Sequence, residues 1–334
     1  MTSDFSTNEP VLSSCAQELF MGIEIGGTKQ QIAVGTAGGA ILRREDVRLG
    51  RQTRAEDILR WISGTAKALM AEYQISGVGV GFGGPVDPLE GRILCSLQVE
   101  GWQGFGLKDW LEKELAKPAV VLNDTAVGGL AELRLGAGRG SQRFFYTNIG
   151  TGIGGGLYDE AGFGASSLGY VWVPDWRDKR PGAETRLEFI CSGQNIEERL
   201  NAPGYVPQGG FLDPRGGRLT CAQLASGAQA GDEFCCGELD RIAETFSIGL
   251  ADILALASPD RIAVGGGVAK MGEVLFSRLR EFTARRAFVA DVGQYEILES
   301  ALLDDAVLSG ALLCAAEPEK LRVWGRRARD SALG

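Results

Sequence analysis

The stretch Met21-Gly22-Ile23-Glu24-Ile25-Gly26-Gly27-Thr28-Lys29-Gln30-Gln31-Ile32-Ala33-Val34 decides the fold. Met21 to Ile25 alternates and is β-branched, Gly26 to Lys29 interrupts it, and Gln30 to Val34 resumes it. That is the pattern of a β-hairpin turning on glycine. Such a turn leaves backbone N–H groups pointing inward with no side chain in the way, which suits the oxygens of a polyphosphate. Thr28 and Lys29 add a hydroxyl and an ammonium. One such turn is weak evidence, because most glycine turns are ordinary.

The pattern returns in the second half. Arg143 to Ile149 reads as a strand, Gly150-Thr151-Gly152-Ile153-Gly154-Gly155 as a turn, and Gly156-Leu157-Tyr158 as the returning strand. Each hairpin opens a β-rich and then α-rich half, so the chain reads as a duplicated α/β fold with a cleft between the halves. Between the hairpins lie a third strand from Ala40 to Leu49 and a helix from Ala55 to Tyr73. That helix carries Ile58, Ile62, Ala66 and Leu69 at helical spacing. A strand from Val78 to Phe82 runs into Gly83-Gly84-Pro85-Val86-Asp87, and a helix spans Leu107 to Lys117. Pro118 to Leu122 is a strand with Asn123-Asp124 at its carboxyl end, followed by a helix from Thr125 to Leu135. Open α/β sheets gather ligands at the carboxyl ends of their strands, so Asp124 is placed for chemistry.

Beyond the second hairpin, helices are expected over Leu187–Leu200 and Asp232–Ala257. The longer one carries Cys235, Leu239, Ile242, Phe246, Leu250, Ile253 and Leu256 on one face and is stopped by Pro259. Arg261 to Val264 is a strand entering a third glycine turn, Gly265-Gly266-Gly267, with a helix from Lys270. A strand over Tyr295–Leu298 and a helix over Asp305–Ala316 close the pattern. Asn201 to Gly217 reads as a surface loop, and the basic segment Glu319–Arg329 as a solvated terminal helix. The expected division is a tail over 1–20, a small lobe of 21–122 with about 305–318, a large lobe of 123–304, and a second tail over 319–334.

Composition removes several chemistries. The chain has 334 residues and no histidine, so no imidazole serves as base, metal ligand or triad member, and a general base must be a carboxylate. The 7 cysteines form no C-x-x-C pair, which argues against a zinc site and for reduced thiols in a cytoplasm. A net charge of −9 lacks the footprint of a nucleic-acid binder. No run approaches the roughly 18 apolar residues of a membrane span. Gly, at 49 residues, is about twice its usual share, and the excess lies in the turns.

Taken together, Ile25-Gly26-Gly27-Thr28-Lys29, Gly84-Pro85-Val86-Asp87, Asn123-Asp124, Gly150 to Gly156 and Ala263-Val264-Gly265-Gly266-Gly267-Val268 resemble the ROK family. That family holds sugar kinases and related repressors built on the actin/hexokinase/Hsp70-type, ribonuclease H-like fold. The likeness covers about Met21 to Ala316. It implies an ATP-dependent sugar kinase with Asp124 as general base, taking the proton of a sugar hydroxyl that attacks the γ-phosphorus. The plainer alternative for Asp124 is a helix N-cap. The resemblance places ATP phosphates on Gly26, Gly27, Thr28, Lys29, Gly150, Thr151 and Gly152, and the base or ribose on Gly265, Gly266 and Gly267. It places the sugar against Gly84, Gln98, Asn123, Asp124, Ser167 and Glu188.

Departures from the family pattern carry their own expectations. Glu24 stands where the family has Asp and would approach Mg²⁺ through water. Ser167-Leu168-Gly169-Tyr170 replaces Glu-x-Gly-His, and Trp172 to Thr185 holds no cysteine, so no zinc is expected. Tyr170, Trp172 and Trp176 are then the candidates for bracing the sugar site, with plain core as the alternative. Glu188 is either a sugar ligand or a first-turn helix carboxylate. The expected partners are a sugar or polyol and a second copy of the chain, without nucleic acid or membrane. Two competing readings are a sugar or nucleotide sensor without turnover, and an ATPase or acyl-phosphate kinase. With about 20 residues before Met21, the DNA-binding domain of a repressor is not expected, which ranks a direct repressor low.

Overall fold

Strand alternation sets the layers. In β1 (Leu19–Ile25) successive side chains face opposite sides of the sheet. Met21, Ile23 and Ile25 enter one apolar cluster, while Phe20 joins a separate one. The computed structural model describes residues 17–48, 50, 53–96 and 99–324. β2 (Lys29–Thr36) returns antiparallel to β1 with Ile25 opposite Gln30, and β3 (Ile41–Arg48) pairs antiparallel with β2. Helix α1 (Ala55–Glu72) crosses to β4 (Ile75–Phe82), which lies parallel to β1. A short ribbon of β5 (Val86–Asp87) and β6 (Arg92–Ile93) follows, then α2 (Leu107–Leu115) and β7 (Ala119–Asn123), parallel to β4. The sheet order is β3-β2-β1-β4-β7.

The second half repeats this connectivity. After α3 (Asp124–Leu135) come the antiparallel strands β8 (Phe144–Ile149), β9 (Ile153–Asp159) and β10 (Gly162–Ser166). A ribbon of β11 (Trp172–Pro174) and β12 (Glu184–Arg186) leads to α4 (Leu187–Cys191), α5 (Gly193–Leu200), α6 (Cys221–Gln229) and α7 (Glu233–Ala257). Then β13 (Arg261–Gly265), α8 (Glu273–Arg286) and β14 (Glu296–Glu299) add two parallel strands beside β8. Helix α9 (Ala306–Ala316) and β15 (Val323–Trp324) follow. The order β14-β13-β8-β9-β10-β15 contains the first sheet's pattern with β15 added at one edge. The molecule is therefore the duplicated, two-lobed α/β fold.

Helices α3 and α9 fill the space between the two sheets. Ala126, Val127 and Leu130 of α3 and Val307, Ala311 and Cys314 of α9 share one buried cluster with Phe144, Tyr146 and Tyr158 of the second sheet. The α1/α2 cluster covers the outer face of the first sheet, and α4 to α8 cover the outer face of the second. The chain crosses between sheets at α3 and again at residues 300–305. Buried Glu132 of α3 ties the two crossings together. Its carboxylate accepts the N–H groups of Ala137 (2.8 Å), Ala301 (3.2 Å) and Leu302 (2.7 Å) and the hydroxyl of Ser300. Without Glu132 the buried Ser300 hydroxyl would lose this partner, and the buried carboxylate is in turn satisfied by all four donors.

Four expectations change. β1 begins at Leu19, two residues before Met21. The helix expected over Leu187–Leu200 is two helices, because Ser192 adopts an extended backbone (ψ 150°) and its side chain caps α5 at Asn195. Leu256 is 85% exposed: α7 has 25 residues against 14 in α8, and its last turn leaves the packed face. The expected terminal helix from Glu319 is instead a short 3₁₀ turn over Pro318–Lys320 and then β15, where Val323 pairs with Phe163. A two-residue strand is too short for periodicity to reveal. Among the described residues no helix is long and apolar enough to cross a membrane.

Candidate active site

The site is built on the end of β7. Asn123 caps α3, its Oδ1 accepting the N–H groups of Thr125 (3.1 Å) and Ala126 (3.2 Å). Its Nδ2 donates to Gly84 O (3.0 Å) and Asp124 Oδ1 (3.1 Å). The capping role therefore falls to Asn123, and Asp124 is the first helical residue. Asp124 Oδ1 also accepts the Thr125 N–H (2.7 Å), while a Cβ placed on Gly83 would lie 3.4 Å from Asp124 Oδ2 and 3.5 Å from Gly26 Cα. The other side of Asp124 meets the second hairpin, since the Thr125 side chain abuts Gly154.

The two glycine turns converge here. Thr28 Oγ1 of the first lies 3.4 Å from Thr151 Oγ1 of the second, although 123 positions separate them in the chain. In the first turn Gly26 N–H donates to Lys29 O (3.2 Å) and Gln30 Nε2 donates to Gly26 O (2.6 Å). In the second, Gly150 O accepts from Gly193 N–H (2.8 Å) at the start of α5, and Ile149 O accepts from Val268 N–H (3.0 Å). The third turn thus leans on the second. Gly266 has φ +86° and its Cα abuts Asn148 and Ile149, so only glycine fits, whereas Gly267 faces open space. Gly265 abuts the Tyr146 hydroxyl. Gly265 and Gly266 are packed framework, and Gly267 is the member open to a ligand.

Two carboxyls of the site, Asp124 and Glu24, are raised and a third, Asp304, is lowered. Desolvation pushes Asp124 up to about 6 against the opposing hydrogen bonds from Thr125 and Asn123. Desolvation likewise raises Glu24 to about 6. The hydrogen bond from Gln31 Nε2 (2.5 Å) and the Lys29 charge oppose that rise, and the Asp124 and Asp304 charges add to it. Asp304 is held below its usual range chiefly by its hydrogen bond to Lys270 (2.7 Å). Gln31, Asp304 and Lys270 escaped the sequence reading. The one signal was the Gln30-Gln31 pair inside an otherwise apolar strand.

These shifts have a stability consequence. A carboxyl whose folded pKa lies above its unfolded value binds its proton more tightly when folded. Its contribution is complete below the unfolded pKa and is lost as pH rises through the folded one. Asp124 therefore costs stability increasingly from about pH 4 to above pH 6. Asp124→Asn should melt higher than the parent at pH 8 and lose that advantage near pH 4. Thermal melts of both proteins across this range test it, and an equal offset at both ends would contradict it.

Glu188 lies in the first turn of α4 with Oε2 accepting the Ile153 N–H (2.8 Å) just past the second turn. A Cβ on Gly152 would lie 2.6 Å from that oxygen. Glu188 is thus more than a helix-end charge: it fastens the second hairpin. Ser167 is exposed and precedes the short turn Leu168–Tyr170, in which Gly169 touches Ile153 and Glu188. Gln98 lies outside the described residues. Of the three aromatics, Trp172 (62%) and Tyr170 (40%) are exposed, and the Arg186 guanidinium lies 4.2 Å from the Tyr170 ring centre. Trp176 packs against the large apolar cluster: its Nε1 donates to Thr245 Oγ1 (3.1 Å), with the Arg199 and Arg241 guanidiniums 5.3 Å and 5.2 Å from its ring. Among the described residues no group of three or more Cys, Asp or Glu side chains is arranged to hold a metal ion. A groove of about 360 Å³ between β3 and α1, lined by Arg43, Asp46, Trp61 and Glu72, shares no residue with this site.

Residues 20–317 match a family described as the ROK family. A glucokinase of Thermotoga maritima is 29% identical over 305 residues, covering 87% of this chain and 95% of that protein. A ROK-family glucokinase from Streptomyces griseus, solved with glucose and AMPPNP, superposes with a TM-score of 0.72. It is 27% identical and covers 90% of this chain and 99% of its own. A ROK-family transcriptional regulator, a homologue of the E. coli MLC protein, has a TM-score of 0.78. It is 18% identical and covers 89% of this chain and 78% of its own. At that identity the last likeness shows the fold alone.

Proposed function

We propose that this chain, which belongs to the ROK family, is an ATP-dependent kinase that moves the γ-phosphate to a hydroxyl of a sugar or sugar-like polyol. The observation that carries this is the meeting of the two glycine turns at Thr28 and Thr151 beside Asp124. The turn segments at Gly26–Gly27 and Gly150–Gly152, closed by the Gly26 N–H on Lys29 O and the Gly150 N–H on Gly152 O, receive the phosphates, with the Gly27 and Gly152 N–H groups, the Thr28 and Thr151 hydroxyls and the Lys29 ammonium as donors. Phosphoryl transfer asks mainly for positioning and neutralised charge, and these groups supply both. Gly267 faces the base or ribose. The sugar lies against Gly84, Asn123 and Glu188, with Ser167 at its margin.

Asp124 is the general base. Above about pH 6 it is ionised and accepts the proton of the sugar hydroxyl as that oxygen attacks phosphorus. Glu24 offers hard oxygen ligands near Asp124 and Asp304, and its pKa is raised chiefly by desolvation, with the charges of those two carboxyls adding to the rise. Those residues fit Mg²⁺ in its usual form, a site of one or two carboxylates completed by substrate phosphates and water. When bound, the ion would neutralise phosphate charge. Closure of the small lobe (21–122 with about 305–318) onto the large lobe (123–304) would keep water from the γ-phosphate.

Assay of ADP release from Mg·ATP over hexoses, N-acetylhexosamines and polyols tests the reading. Release that depends on one class of sugar is expected. Binding of ATP or sugar with no release for any acceptor would favour a sensor or regulator without turnover.

A further inference from the structure

We propose that the buried Arg199–Glu238 pair is a positioning element for Glu188, holding that carboxylate where Oε2 fastens the second glycine hairpin and Oε1 is presented to the acceptor sugar. The inference rests on the kinase reading above. Glu238 is fully buried on α7 and Arg199 is 8% exposed on α5. Arg199 Nε donates to Glu238 Oε1 at 2.7 Å, while the Tyr205 hydroxyl (2.7 Å) and Arg241 Nη2 (2.8 Å) donate to Oε2. A buried ion pair is a poor source of stability, because apolar residues of similar volume usually do as well. What this pair does supply is direction.

The helix it directs is α4, which has only five residues. One turn of helix does not stand alone, and its last carbonyls have no partner within it. Two guanidiniums supply those partners: Arg199 Nη1 donates to Ile190 O (3.1 Å) and Arg177 Nη1 to Phe189 O (2.7 Å). Glu188 is the neighbouring residue, and its own carbonyl accepts Asn195 Nδ2 (3.3 Å) from α5. A continuous path therefore runs from Glu238 through Arg199 and α4 to the Glu188 carboxylate and the Ile153 N–H. Among the described residues Oε2 of Glu188 has that partner and Oε1 has none, which leaves Oε1 for a sugar hydroxyl.

The test is a double-mutant cycle between Glu238→Gln and Glu188→Gln, read in the KM for sugar, the KM for ATP and kcat. Glu238→Gln should raise the sugar KM about tenfold with kcat within about threefold of the parent, and should add no further increase in the Glu188→Gln background. Tyr205→Phe, which removes one hydrogen bond to Glu238, should do the same on a smaller scale; it carries the cycle if Glu238→Gln gives no cooperative melt. Multiplying effects in the double variant, or an unchanged sugar KM, would overturn the proposal, because a general loss of packing does not depend on the side chain at 188. Should the parent transfer phosphate to no sugar, the kinase reading fails by itself. The cycle is then read in the dissociation constants of ATP and glucose, with the same two outcomes.

Discussion

Asp124→Asn should lower sugar-dependent ADP release by about a thousandfold, within the range of general-base contributions. The affinity for ATP should stay within about threefold of the parent. Asparagine keeps Oδ1, so the hydrogen bonds from Thr125 N–H and Asn123 Nδ2 survive. Capping of α3 is untouched, because Asn123 performs it. The loss is therefore confined to the atom that takes the proton. The parent's kcat should rise with pH to about 6 and then level, following ionisation of Asp124. The residual rate of the variant should not show that rise. Single-turnover assays from pH 5 to 8 measure both, and a variant retaining a tenth or more of the parent's rate would remove Asp124 from the role of base.

Much of this site was legible because its signals are local. Glycine runs at strand ends mark turns, and Asn123-Asp124 at a strand end marks a site, whatever lies around them. The repeated hairpin also disclosed the duplication, since both halves start with the same short pattern. What escaped depends on contacts distant in sequence. Glu238 and Arg199 read as ordinary charges on amphipathic helices, and only folding buries them against each other 39 positions apart. Glu132 likewise meets Ser300 from 168 positions away. The division of labour between Asn123 and Asp124 escaped as well, because either residue type caps a helix and only the geometry shows which one does. Glycines inside strands were the other blind spot. Val78-Gly79-Val80-Gly81-Phe82 reads correctly as a strand, yet nothing local says why alternate positions lack side chains. The reason is the helix that lies on them.

That helix makes the second large effect an expected consequence of geometry. In β4, Val78, Val80 and Phe82 face the α1/α2 cluster, while Gly79 and Gly81 face α9. A Cβ on Gly79 would overlap the backbone oxygen of Ala311 and lie 2.7 Å from its carbonyl carbon. A flexible side chain would yield to such an intrusion, but a helix backbone yields only by moving as a body. Helix α9 has nowhere to move, because on α3 the Val127 backbone lies against Gly310, with 2.7 Å between Val127 C and a Cβ placed there. The helix is wedged between sheet and helix by glycines on both sides. Gly79→Ala should therefore exceed the usual 1–3 kcal/mol of overpacking and cost about 4 kcal/mol or more, a large part of a typical domain's stability. Gly64→Ala, on a stretch of α1 with open space at its Cα, should be neutral or stabilise by up to about 1 kcal/mol. Thermal and urea unfolding of the pair decide the matter, and melting of Gly79→Ala within about 2 °C of the parent would show that α9 is free to shift, since 4 kcal/mol corresponds to roughly 6 °C in a chain of this length. The effect should reach the site as well. Val307 of α9 packs on Gly81, which also touches Asp124, so a displaced α9 moves the floor on which the base stands. Whatever Gly79→Ala protein remains folded should then transfer phosphate more slowly per folded molecule than the parent.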